Sequence, residues 1–362
     1  MFSIDQQFKD MMLENGFSQL TIMYYDKYRT HYSASDKKGQ DVVITRVTCK
    51  DSKIAEEILN DLLVQEAFGK NVSMPNLLKK RIMYLNKFDT TSHNEKNSNN
   101  EFDVTFVTDR MPIKLKYAMF TTQLTEQHAK FIIYQLLCSL HVMHDNDIIH
   151  QQLSPDHILI NEKGEIKITL GSCTRLSHLE ETKHELPVYN VTPYLNYESP
   201  EILLNFPQYD TKPSDMWSVG CILAEILGNK ILFKGSGHVN QFITIFKICG
   251  TPSSQDLLDM GHIDKNTSHY LKGLSAYTPM DFKDLLPNAS PEAIDLLNQL
   301  LILSPEKRIK VKQALSHPFF KQLYDSNDVT DKKVILQLDY DKGGDLKYFI
   351  DKINECVKRY FK

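Results

Sequence analysis

An α+β fold in two lobes, a small strand-rich one followed by a larger helical one, is what three features of the 362-residue sequence predict. Residues 17–47, FSQLTIMYYDKYRTHYSASDKKGQDVVITRV, alternate apolar and polar positions around the turn DKKGQD. Half-buried strands read this way because successive side chains point to opposite faces. The next segment, SKIAEEILNDLLVQEAF (52–68), spaces its apolar residues three and four apart, as one helix face does. The third feature is TEQHAKFIIYQLLCSLHVMHD (125–145), a long pattern strongly apolar on one side, the signature of a helix at the centre of a domain. After the strand DVTFVT (103–108) helical periods dominate to the end. The Asn-rich stretch FDTTSHNEKNSNNEF (88–102) is too poor in apolar residues to pack and reads as a mobile hairpin loop between strands. No repeat of solenoid period is visible.

Composition narrows the function classes. With 41% hydrophobic and 24% charged residues, the chain is an ordinary globular one, long enough for two cores. Its formal net charge is −4 and its 42 Lys+Arg are spread along the chain without a basic arm, so no nucleic-acid partner is expected. Cys49, Cys138, Cys173, Cys221, Cys249 and Cys356 form no CxxC pair, which points to reduced packing cysteines and to neither disulfides nor a zinc site. The N-terminal MFSIDQQFKDMMLENGF carries charge where an export signal needs an apolar run. The longest apolar stretch, FIIYQLLCSLHVM, is too short and interrupted to span a bilayer. A soluble protein of the cytoplasm, the nucleus or both is expected, with no membrane partner.

Several motifs then fall in one register. IIHQQLSPDHILIN (148–161) has the frame of a kinase catalytic loop, ESPEILL (198–204) that of the Ala-Pro-Glu element, and SDMWSVGCILAEIL (214–227) that of the buried Asp-x-Trp helix. Arg308 in SPEKRIKVKQALSHPFF stands where the partner of Glu201 is expected. Together with NDIIH (146–150) and NQFITIFKICGTP (240–252), these motifs resemble the MAP kinases, the stress-activated branch most of all, over about residues 17–325. The resemblance implies a bilobal protein-kinase-like fold: a small β-rich N-lobe with one main helix and a larger helical C-lobe. It implies an N-terminal extension (1–16), an N-lobe (17–109), a C-lobe (110–322) with a MAP-kinase-type insert at about 251–290, and a C-terminal extension (323–362).

Carried over residue by residue, the same resemblance implies that the chemistry is gone. Phosphoryl transfer depends on positive charge and metal around the phosphates, and on a base for the acceptor hydroxyl. Thr45 in VVIT falls where the strand lysine belongs, Gln152 at the base, His157 at the Asn that holds metal, and Leu170 at the metal-binding Asp, followed by Gly171 and Ser172. Tyr24, Asp26 and Arg29 fall on the three glycines whose backbone must approach the phosphates. Val43 narrows the adenine roof, and Thr108 stands at the gatekeeper position. Arg46 should point away from the nucleotide as a solvated surface residue. Binding of ATP and Mg²⁺ is therefore expected to be absent or weak. Local replacement is the competing idea: Asp156 reaching a cation, or Lys27 or Arg29 reaching phosphates, against Asp156 bonding its own loop and the two basic residues being solvated. His157 alone is a packing or hydrogen-bonding residue more often than a metal ligand.

Regulation looks dismantled as well, since the phosphoacceptor pair falls on Tyr189, Asn190 and Val191, and the arginines that would receive the phosphates fall on Leu195 and Glu198. A partner surface is implied instead. Asp325, Asp328 and Asp331 match the acidic cluster that captures the basic end of a docking peptide, and His128 and Glu162 match the adjoining groove, where Ala118 and Thr122 differ from relatives. The competing view is a solvated acidic tail. The expected function is that of a catalytically inactive MAP-kinase-like pseudokinase, a scaffold, decoy or allosteric partner of kinase-cascade proteins. The alternatives are an unorthodox ATP-binding serine/threonine kinase with weak phosphotransfer, or a nucleotide-operated switch. The sequence does not specify an oligomeric state.

Overall fold

A computed structural model describes residues 4–25, 29–71, 76–78, 80–87, 102–170, 175–176, 194–204, 212–260, 273, 275–329 and 344–360. The expectations for Asp26, Lys27, the stretch 88–101, Gly171, Ser172, the Tyr189 loop, Asp331 and insert residues 261–272 lie outside the described residues. Two compact units are formed: Met1–Ser73 with Leu78–Met111 and Val334–Lys362, and Met74–Leu77 with Pro112–Lys333. Of the described residues after 322, 323–329 belong to the helical unit and 344–360 to the strand-rich one.

In chain order the strands are β1 (Ser18–Tyr25), β2 (Arg29–Ser35), β3 (Asp41–Cys49), β4 (Lys80–Lys87), β5 (Phe102–Asp109), β6 (Ile113–Lys114), β7 (Ile148–Ile149), β8 (Ile158–Ile160), β9 (Ile166–Ile168) and β10 (Arg175–Leu176). The helices are α1 (Gln6–Glu14), α2 (Ser52–Asn71), α3 (Leu115–Thr121), α4 (Glu126–Asp145), α5 (Pro200–Leu203), α6 (Lys212–Gly228), α7 (His238–Cys249), α8 (Ser254–Asp259), α9 (Phe282–Leu285), α10 (Pro291–Leu300), α11 (Val311–Leu315) and α12 (Leu346–Tyr360).

The small unit is an antiparallel sheet of order β1-β2-β3-β5-β4. Its β2–β3 turn closes on Asp36, whose Oδ1 accepts the N–H groups of Lys38 and Gln40 at 2.8 and 2.9 Å. Gly39 takes φ +74° there, a conformation that side chains resist. Alternation then separates two faces. Tyr32, Ala34, Val42, Ile44 and Val107 bury against Phe8 and Met12 of α1. Val47, Cys49, Phe102, Val104 and Phe106 bury against α2 through Ile58, Leu59 and Leu62, and against α12 through Phe349, Ile353 and Cys356. Each fully buried large side chain contributes about 1.5–3 kcal/mol.

The large unit is built around α4 and α6. Helix α6 is buried on all sides from Ser214 to Ala224, which is why its sequence is apolar without a polar stripe. Arg308 and Glu201 meet as a fork, with Nη1 to Oε1 at 2.6 Å and Nη2 to Oε2 at 3.0 Å. The same guanidinium donates to Pro213 O at 2.7 Å and lies 5.1 Å from the Trp217 ring. Beside the helices are an antiparallel sheet of order β6-β8-β9 and the β7–β10 pair. Among the described residues no helix is long and apolar enough to cross a membrane.

Candidate functional site

Within the small unit, the face of the sheet covered by α2 also carries the strand positions singled out in sequence. Register follows from the turn: Ser35 opposes Asp41, so His31 opposes Thr45 and Arg29 opposes Val47. Thr45 Oγ1 and His31 Nδ1 are hydrogen-bonded at 2.9 Å. The His31 ring stacks on Tyr24, with centroids 4.1 Å apart and planes inclined by 26°. Arg29 reaches across to Glu57 of α2, Nη2 to Oε2 at 3.8 Å. Burial pushes the Glu57 carboxyl above its ordinary range, and the Arg29 charge opposes that rise. Val43 and Thr108 sit opposite one another on β3 and β5.

Two expectations need correction here. Arg29 is not merely solvated, because Glu57 pairs with it. Arg46 does point to the face opposite Thr45, but it is no solvated surface residue: its guanidinium binds Asp103, reaches Asp5 at 3.3 Å and lies 4.9 Å from the Phe8 ring. Strand alternation supplies the direction, whereas the partners come from β5 and from the residue that caps α1. His31 and Glu57 were missed in sequence. The turn alone would have found His31, since pairing 35 with 41 forces 31 onto 45.

Within the large unit, the catalytic-loop frame is held by Asp215 at the start of α6. Its Oδ2 accepts the N–H of His150 at 2.9 Å and lies 2.9 Å from His144 Nε2, while its Oδ1 accepts the N–H of Gln151 at 2.9 Å. Gln151 takes φ +63°, a strained value for a residue with a side chain, so these buried bonds fix the loop's shape. His150 Nε2 faces Thr169 O at 3.0 Å and must therefore carry the hydrogen. Burial lowers the His150 pKa.

On this frame Gln152 presents an amide. His157 is hydrogen-bonded through Nδ1 to Ser154 Oγ at 3.1 Å and packs against the rings of Tyr194 at 4.9 Å and His150 at 5.5 Å. Burial first, and the neighbouring His150 second, push its pKa down to about 3, so the ring is neutral at physiological pH. Leu170 is a half-buried hydrocarbon side chain two residues beyond β9. Asp156 neither bonds its own loop nor stands open to a cation, as the two earlier readings had it. It holds Lys116 at 2.9 Å and Lys114 at 3.4 Å. Burial alone would raise its pKa, but the Lys116 hydrogen bond and the two ammonium charges outweigh burial and hold it below the usual range. Among the described residues no three His, Cys, Asp or Glu gather in a cluster able to hold a metal ion. Leu195 is buried in a one-turn helix, Leu195–Tyr197.

The expected docking residues lie along α4 and its neighbours. His128 is the third residue of α4, and its Nδ1 accepts the Thr125 N–H at 3.0 Å, completing a cap in which Thr125 Oγ1 accepts the His128 N–H at 3.4 Å. One turn on, Phe131 is 39% exposed and meets the β8–β9 turn at Gly164, where an added Cβ would lie 3.2 Å from the ring. Glu162 is exposed in that turn. Gln135 Nε2 donates to Gly164 O at 2.9 Å, tying turn to helix. Tyr134, on the next turn of α4, reaches the segment of Asp325 and Asp328. Asp325 is exposed and Asp328 half-buried, and among the described residues neither forms a salt bridge. Ala118 is buried in α3, and Thr122 is exposed just beyond it. Tyr134 was missed in sequence because a buried aromatic at helical spacing looks like core.

An antiparallel sheet unit joined to a helical unit carrying the Asp215, Glu201 and Arg308 anchors is the architecture of a protein kinase domain. Residues 32–320 match the protein kinase domain family, and the chain belongs to it. Mitogen-activated protein kinases and an extracellular signal-regulated kinase are among its relatives. Mitogen-activated protein kinase pmk-1 of Caenorhabditis elegans is 37% identical over 240 residues, 66% of this chain and 61% of that protein. Extracellular signal-regulated kinase 1 of Dictyostelium discoideum is 35% identical over 237 residues, 64% of this chain and 43% of that protein. Mitogen-activated protein kinase 12 of Mus musculus is 38% identical over 205 residues, 57% of this chain and 53% of that protein. The match therefore spans between 43% and 61% of these relatives' lengths. The chain has a MAP-kinase-like kinase fold.

Proposed function

We propose that this MAP-kinase-like protein is catalytically inactive and works by binding proteins of a kinase cascade, as a scaffold, decoy or allosteric partner. The observation that carries the reading is the chemistry at four positions. Thr45 offers a hydroxyl bonded to His31, Gln152 an amide, His157 a neutral imidazole bonded to Ser154, and Leu170 hydrocarbon. None of these supplies the charge or the carboxylate oxygens that Mg²⁺ and a triphosphate require, so the set does not fit that cofactor. Binding would fall to the docking strip, with Asp325, Asp328 and Asp331 receiving basic residues of a docking peptide and His128 and Glu162 bordering its apolar part. Thermal unfolding with millimolar ATP tests the inactive half of the reading. A binding ligand at a hundredfold excess over Kd adds about 2.7 kcal/mol. No Mg²⁺-dependent rise in Tm is expected, and a clear one overturns the reading.

A second reading, an unorthodox ATP-binding serine/threonine kinase with weak phosphotransfer, is favoured by one observation. Arg29 pairs with Glu57 on the same sheet face as Thr45, a cation from β2 where β3 supplies none. Phosphotransfer by wild type that Arg29→Ala abolishes would establish it.

A further inference from the structure

We infer that Tyr134 is the positioning residue of the acidic docking cluster, a role that rests on the docking reading above. Its hydroxyl uses both of its capacities on one short segment. It donates to Asp328 Oδ2 at 2.9 Å and accepts the Asp325 N–H at 3.0 Å. The segment closes on itself between those points: the Asp328 N–H donates to Asp325 O at 3.0 Å, and the Asn327 N–H to Asp325 Oδ1 at 2.9 Å. One oxygen atom thus fixes the start and the end of the turn that displays both carboxylates.

The base of this arrangement is rigid. Tyr134 is only 7% exposed, and its ring packs on Phe320, with centroids 5.6 Å apart. It follows Phe131 by one helical turn, and Phe131 in turn follows His128. The apolar part of the strip and the acidic part are consequently set at a fixed spacing by a single helix, and the phenol carries that spacing to the Asp328 carboxylate. Bidding for a basic peptide, an anchored carboxylate keeps its direction before the partner arrives, so less side-chain freedom is lost on binding. The phenol also neutralises none of the charge, because it donates to the carboxylate without adding a cation.

The test is Tyr134→Phe, which keeps the ring and its packing on Phe320 and deletes the one oxygen. Affinity for a synthetic peptide with two or three basic residues followed by alternating leucines is measured at two ionic strengths. Wild type, Tyr134→Phe, Asp328→Asn and the double variant are compared, with thermal unfolding as the control. Tyr134→Phe is expected to weaken binding about three- to tenfold, to flatten the salt dependence, and to speed hydrogen exchange of the Asp325 amide. In the Asp328→Asn background it should cost much less. If wild type binds the peptide but Tyr134→Phe leaves affinity and salt slope unchanged, or costs the same with and without the Asp328 carboxylate, the positioning role is refuted and docking stands. If wild type binds no such peptide, the docking reading fails and the positioning role fails with it.

Discussion

Replacing Glu201 with Ala removes two charge-assisted hydrogen bonds from a guanidinium that has no access to water. The Arg308 side chain is 0% exposed and that of Glu201 7%, so solvent replaces neither partner. Arg308 keeps the carbonyls of Pro213 and Ile302 and the face of Trp217, but these do not neutralise a full charge. Breaking a buried pair on one side costs about 3–5 kcal/mol, against roughly 0–1 kcal/mol for an exposed pair. For a unit of this size each kcal/mol lowers Tm by about 2–4 °C, so a fall of roughly 6–20 °C in the transition of the larger unit is expected. Calorimetry of wild type and Glu201→Ala at low and at 0.5 M salt, taken as about the concentration that shortens the Debye length below 5 Å, gives the answer. The loss should be the same at both salts. A fall below about 3 °C, or one that salt abolishes, would refute the argument that burial sets the strength of this pair.

Gln152→Asp alone should not create phosphotransfer in a radiolabelled-ATP assay, because a base worth about 10²–10⁴-fold acts only on a phosphate already held by metal and lysine. His157 should make stability pH-dependent in a defined direction. Its folded pKa of about 3 lies below the unfolded value, so from pH about 6.5 downward the unfolded chain takes up a proton that the fold refuses. Stability therefore falls as pH drops from about 6.5 toward 3, and His157→Asn should flatten that part of the Tm profile; an unchanged profile would count against a neutral buried ring. Asp325→Lys should weaken a basic docking peptide several-fold with little change in Tm, whereas Asp328→Lys should also lower Tm because its carboxylate receives the Tyr134 hydroxyl.

Local periodicity accounts for most of what could be read in advance. The meander, α2 and α4 announce themselves by spacing, and the buried α6 and the Arg308–Glu201 pair by motif. The contacts that escaped are those between residues remote in sequence whose types admit several partners. Arg46 has Asp103 57 positions away, and Tyr134 has Asp328 194 positions away. Alternation told which way Arg46 points but not that α1 and β5 wait there with carboxylates. Asp156 was misjudged for the same reason: Lys114 and Lys116 stand on β6 and α3, about forty residues upstream. The helix α12 lies in what the sequence offered only as an extension, and nothing in its own pattern says that α2 is its cover.

That last pairing bears on how the protein is made. Val47, Val104 and Phe106 share one apolar cluster with Phe349, Ile353 and Cys356. Ribosomes add about 5–20 residues per second, so the roughly 240 positions between Phe106 and Phe349 take about 12–50 s to synthesise. Throughout that interval β3, β5 and α2 are complete while the helix that seals one side of them does not exist. The strand-rich unit therefore waits for α12, and its nascent form carries an uncovered oily seam for longer than most small domains need to fold. Truncation before Phe349 leaves the unit without its lid of hydrocarbon.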